Sequence, residues 1–218
     1  MRHLLRSTLI GAALLAPVGA FAAVLDFDAL DASASQTIAL PSFSEDGYTF
    51  DLFFTGGSLG PAIFDTTCVG YTANCNGDED LVPAVQGENG VGGNVMILQS
   101  TSGATPNDFA GGGTIEFRLT SGPSFFLTGF SGVDEQPITA FDTDGVTVLG
   151  VIDLPNDSDT GIATFKSSRI DVGESFFITF TGSGGIDSLV VAPVPVPAAL
   201  PLSLAALGAL GWVRRRRG

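Results

Sequence analysis

The chain has 218 residues, with 9 basic against 23 acidic side chains and a net charge of −14. Its one histidine is His3 and its one tryptophan is Trp212. So acidic a chain repels nucleic acid and anionic lipid. Imidazole confined to residue 3 leaves no Ser-His-Asp or Cys-His triad and no His-ligated zinc or iron in the body.

In chain order, Arg2 and Arg6 form a basic start, residues 9–18 an apolar core, and Ala20-Phe21-Ala22 an A-x-A cleavage site. This pattern predicts a helical secretory signal, read by the secretion translocon and cut by signal peptidase between Ala22 and Ala23. The arginines are not adjacent, which argues against a twin-arginine signal. No Cys sits at the cut, which argues against a lipoprotein anchor. The expected layout is a signal over 1–22, a body over 23–193 and a tail over 194–218. Only Arg118, Lys166 and Arg169 stay in that body beside all 23 acids, a net charge of −20.

The body reads as short strands. Residues 24–29 alternate apolar and acidic, the period of a half-buried strand, and 37–40 is expected beside them. Residues 48–54 form a strand introduced by the turn Glu45-Asp46-Gly47. A long loop over 56–80 is expected to contain a short strand near 62–65. Strands follow at 94–99, 114–120 and 124–130, and another closes at Phe141. Residues 146–154 and 161–166 are expected to pair as a hairpin. The last two strands are 175–180 and 186–191. The glycine clusters read as loop spacers. No dozen residues of the body carry a helical apolar period. Sixteen phenylalanines between Phe27 and Phe180 suffice to fill the space between two sheets. The expected fold is all-β: an antiparallel β-sandwich of jelly-roll type.

Cys68 and Cys75 lie in a polar loop of an oxidising compartment and are expected to form a local disulfide. Three acidic loops offer the alternating oxygens that calcium requires. They are Asn74, Asn76, Asp78 and Asp80; Asp142 and Asp144 before Gly145; and Asp153, Asn156, Asp157 and Asp159. The Asp142-Thr143-Asp144-Gly145 segment is equally a hairpin turn. Asp26, Asp28 and Asp187 can frame a structural ion site if the terminal strands are neighbours, but the expected reading is outward-facing solvated carboxylates. Asp134-Glu135 is the densest acidic pair near an apolar strand, yet with so many acids some pair always fits a glycosidase geometry. No nucleophile elbow, P-loop or dinucleotide fingerprint is present. A sugar platform without Trp would fall to Tyr48, Tyr71 or exposed Phe.

The tail has three parts: the motif Val194-Pro195-Val196-Pro197-Ala198, a mostly apolar run over 198–213, and the basic stop Arg214-Arg215-Arg216-Arg217. As a transmembrane helix the 16-residue run spans about 24 Å, short of the roughly 30 Å hydrocarbon core. The arginines hold the end on the cytoplasmic side. This order resembles the PEP-CTERM class of bacterial sorting signals, most closely its VPLPA-CTERM variant, with Val196 where that variant has Leu. The resemblance covers the tail. It implies processing near the prolines by an exosortase, a membrane protease-transpeptidase, and delivery to the cell surface or extracellular matrix, with a role in exopolysaccharide or biofilm. The opening, Phe-Phe-Leu-Thr-Gly-Phe and closing strands also resemble bodies that precede such tails. The functional expectation is a non-enzymatic exported surface protein. The alternative is a lectin-like module for extracellular polysaccharide, with calcium as its possible cofactor; a glycosidase or lyase comes third.

Overall fold

A computed structural model of the chain describes residues 22–30, 40–56, 59–67, 81–100, 107–133, 136–156 and 158–195. The signal segment, Cys68, Cys75, Tyr71, the loop Asn74–Asp80, Asp134, Glu135, Asp157 and the tail from Val196 onward lie outside the described residues. Phe21–Val194 form one compact unit.

The elements are β1 (Ala23–Leu25), β2 (Ser42–Glu45), β3 (Tyr48–Gly56), β4 (Gly60–Asp65), β5 (Asn94–Gln99), β6 (Gly113–Ser121), β7 (Phe125–Val133), β8 (Ile138–Phe141), β9 (Val148–Ile152), β10 (Thr160–Thr164), β11 (Arg169–Ile170), β12 (Ser175–Phe180) and β13 (Gly185–Pro193). A single 3-10 turn, Glu88–Gly90, is the one helical element among the described residues. One sheet runs β10-β7-β13-β5-β4, with β1 also on β13 and β11 also on β7. The other runs β2-β3-β6-β12-β8-β9. Each β-pairing is antiparallel, so the predicted antiparallel sandwich is what the chain forms.

The core follows from period-2 alternation. Phe43, Phe50, Phe117 and Phe176 of the six-stranded sheet face Leu25, Leu127, Phe125 and Val191 of the other, and all are buried. Phe117 and Phe176, cross-strand partners, stack at 4.8 Å with 4° between planes. Phe50 meets both edge-on, at 6.4 and 6.1 Å, the offset and T-shaped arrangements aromatic quadrupoles favour. The seven-stranded sheet is also covered on its outer face at one end. There Leu81 and Val91 pack on Ala62, Phe64, Val95 and Ile97, which explains why β5 reads as a continuous apolar run.

Several expectations are corrected. The first strand stops at Leu25 because Phe27 has a φ of +61°, although Phe27 is still fully buried. β2 precedes the expected turn. Asp46 and Gly47, with φ of +47° and +83°, close a two-residue hairpin between β2 and β3, the geometry an Asp-Gly pair favours. β9 and β10 are not a hairpin: β9 pairs with β8 and β10 with β7, so the intervening loop carries the chain from one sheet to the other. The glycines of 111–113 are more than spacers. A Cβ at Gly113 would lie 2.1 Å from the Thr55 carbonyl oxygen, and one at Gly112 2.4 Å from that of Phe180. Close backbone approach there requires glycine.

Candidate binding face and acidic corner

The six-stranded sheet presents an outer face that no described element covers with a second apolar cluster. Alternation places Asp51 and Phe53 of β3, Thr114, Glu116 and Arg118 of β6, and Ser175, Phe177 and Thr179 of β12 on it. Register puts Phe53 and Phe177 on either side of Glu116, with Phe141 beyond Phe177. Asp51, Arg118 and Ser175 form the next level to one side, and Thr55, Thr114, Thr179 and Thr139 the next to the other. Phe53 is 42% exposed.

The polar groups of this face are held in place. Glu116 Oε1 accepts from Arg118 Nη2 at 2.7 Å and from Ser175 Oγ at 2.7 Å. The Arg118 guanidinium lies 4.4 Å from the Phe53 ring centroid, a cation–π contact. The Thr114 and Thr179 hydroxyls share a 2.9 Å hydrogen bond across strands. Phe53, Phe54, Thr55, Thr114, Glu116 and Phe177 line a groove of ≈ 250 Å³. Three phenylalanines beside hydroxyl and carboxylate groups make it amphiphilic.

A second concentration of polar groups lies where β1 meets β13. β13 bulges between Ile186 and Leu189, and Asp187 sits in that bulge. A bulge re-aims side chains, and Asp187 is 1% exposed. Its Oδ2 accepts the Gly92 N–H at 2.8 Å. Burial first, and then the neighbouring Asp28 carboxylate, push its pKa up to about 7 against the restraint of that N–H bond. Asp28 Oδ1 accepts the Asn94 N–H at 2.8 Å. Glu45 accepts the N–H groups of Asp26 and Phe27, each at 3.3 Å. Burial and a side-chain hydrogen bond with Asp26 push Glu45 up to about 7. The terminal strands are thus neighbours. Asp187 is buried, contrary to the expected solvated carboxylate.

The candidate calcium residues are dispersed. Asp142 is buried and spends its carboxylate on backbone donors: Thr143 N at 2.8 Å and Ser168 N at 3.0 Å. Asp144 accepts Val146 N at 2.9 Å, Thr147 N at 2.8 Å and Thr147 Oγ1 at 2.6 Å. The Thr147 hydroxyl, then the two N–H groups, hold its carboxyl below the usual range. The segment is a turn fastened by its own acids. Asp153 is exposed, and Asp159 accepts from Asn156 Nδ2 at 2.9 Å. Among the described residues no three His, Cys, Asp or Glu side chains converge as metal ligands.

Tyr48 is not a surface platform. It is 3% exposed and meets Phe125 edge-on at 5.3 Å. The platform signal lay elsewhere in the same strands. Phe53 and Phe177 fall on the polar phase of β3 and β12, where alternation calls for hydrophilic residues. Glu45, read as part of a turn, gave no comparable signal of its role at the acidic corner. Comparison with known protein families and with curated proteins finds no match for this chain.

Proposed function

We propose that this chain is an exported, non-enzymatic surface protein, a jelly-roll-like sandwich delivered by its signal peptide and sorted by its tail. The observation that carries the reading is the three-part tail: the motif Val194–Ala198, the apolar run and the stop Arg214–Arg217. Where the last strand ends supports it. β13 closes at Pro193, and the Val194 N–H donates to the Ser124 carbonyl oxygen at 3.0 Å. The folded body therefore runs directly into the motif. The jelly-roll reading is supported by the repeated change of sheet between β6 and β13. The secretion translocon, signal peptidase and an exosortase-type protease-transpeptidase are the partners in this scheme, and the destination is the cell surface or extracellular matrix.

Intact-mass spectrometry of the protein recovered from its own cells tests this. The expected species begins at Ala23 and ends near Pro197. A membrane-bound species that retains Arg214–Arg217 would replace sorting by a permanent anchor. A cytoplasmic species that still begins at Met1 would end the proposal.

A further inference from the structure

We infer that the outer face of the six-stranded sheet binds an uncharged polysaccharide, seating one sugar ring between Phe53 and Phe177 over Glu116 and Thr114. This names a partner class for the exported body, and it rests on the export reading only for where the glycan is met.

Phe53 and Phe177 stand on the polar phase of strands whose other phase already fills the core. Burial of a Phe side chain is stabilising, and folding does not collect that fully for Phe53, which stays 42% exposed. Arg118 covers one part of the ring, and what stays exposed is available to a ligand. Glycans present apolar C–H faces to aromatic rings and hydroxyls to the surroundings, which matches phenylalanines beside hydroxyl and carboxylate groups.

Phe53 and Phe177 sit on β3 and β12, the two neighbours of β6, at one register level. Two inter-strand spacings separate their strands, about 9.5 Å, a slot for one ring rather than a flat stacking table. The groove volume of ≈ 250 Å³ falls just under the roughly 300–1,000 Å³ of pockets that take drug-sized ligands. Glu116 is pre-set. Both of its bonds use Oε1, and Oε2 accepts none among the described residues. A fixed carboxylate acceptor beside a guanidinium and a threonine pair suits vicinal hydroxyls, which both donate and accept.

Charge selects among glycans and against proteins. The face carries Asp51 and Glu116 against Arg118, inside a body of net charge −20. A polyanionic chain would be repelled. A second copy, or any apolar protein surface, would seal the Glu116 carboxylate away from water without a new donor, a costly burial. A neutral glycan brings its own donors.

The test is affinity electrophoresis, followed by calorimetry, of the protein in the form that accumulates in its cells. The probes are dextran, soluble β-glucan, galactan and amylose, with alginate as the polyanion. Retardation by at least one neutral glycan and not by alginate is expected. Phe53→Ala and Phe177→Ala should each weaken affinity at least tenfold, and Glu116→Gln at least threefold. Phe53→Tyr, which keeps the ring, should retain binding within about threefold. Far-UV circular dichroism and Tm verify that each variant is folded. Binding unchanged in both Phe variants would overturn the assignment, as would retardation by none of the neutral glycans or preference for alginate. A dimer that Phe53→Ala dissolves would give the face to a second copy instead. None of these results alters the terminal masses that decide export and sorting, so the two readings fail separately.

Discussion

Asp187 in the bulge of β13 accepts the backbone N–H of Gly92 at 2.8 Å, across 95 positions of sequence. One buried carboxylate thus fastens the segment that covers the outer face of the seven-stranded sheet. Buried charge is costly, and the Asp28 carboxylate adds to that cost. With its pKa up at about 7 rather than 3.8, Asp187 favours the folded state most when protonated. Glu45, up at about 7 from 4.5, acts in the same direction. Their contribution is complete below about pH 4 and is lost as pH rises through 7. The melting temperature should therefore fall between pH 5 and pH 8. Asp187→Asn keeps an acceptor for Gly92 without the charge. It should flatten that slope and add on the order of 2 kcal/mol at pH 8, as read by urea unfolding at both ends of the range.

Asp142 makes a contrasting prediction. Its carboxylate holds the Thr143 and Ser168 N–H groups inside the fold. Asp142→Ala leaves both without that acceptor and should cost about 1–3 kcal/mol. Asp142→Asn, which retains one oxygen, should cost less. Chemical denaturation in excess calcium and in excess chelator should return the same deficit, because the carboxylate serves backbone donors. A deficit that appears only in calcium would assign this turn to a metal instead.

Gln99 is fully buried at the end of β5, and neither of its amide atoms has a hydrogen-bond partner among the described residues. Ile97 and Val95, on the same phase of that strand, belong to the outer apolar cluster. An unpaired buried amide costs about 1–3 kcal/mol. Gln99→Met, similar in volume, should therefore raise the midpoint of denaturation. A lower midpoint would mean that the amide is paired in solution.

Gly113 should tolerate no side chain. Its φ of +154° and the Thr55 carbonyl oxygen, which would lie 2.1 Å from a Cβ at this position, force β3 and β6 apart in Gly113→Ala, at a cost above about 1 kcal/mol. Gly47, also left-handed but with open space around it, should cost about 1–2 kcal/mol as alanine, from backbone strain alone. Amide hydrogen exchange distinguishes the two. Protection should fall along the β3–β6 ladder in the first variant and stay near wild type there in the second.

Much of the architecture was legible because alternation is a strong local signal. β5 and β12 match their expected spans, and residues such as Phe117, Ile178 and Leu189 declare an inner face. What escaped was decided by contacts distant in sequence. β9 and β10 look like hairpin partners, and only the competing edges of β8 and β7 separate them. Tyr48 looks like a surface aromatic, and only the opposite sheet's Phe125 shows why it is buried. The binding face was half visible. Phe53 and Phe177 broke their strands' pattern, but nothing local placed Glu116 between them. The acidic corner needed β1, β2 and β13 brought together, which no window of sequence contains.

The position of β13 bears on timing. It is the last strand among the described residues, yet β7, β5 and β1 all bond to it, and Ala23 is in register with Val191. The first strand therefore waits unpaired while some 160 residues pass, and the seven-stranded sheet closes only when the chain is available through Pro193. Hairpins such as β2–β3 can form early, whereas the long-range pairings bear the slow loop closures. Truncation even a few residues before Pro193 should thus yield a chain that stays protease-sensitive and never matures, rather than a slightly shorter domain.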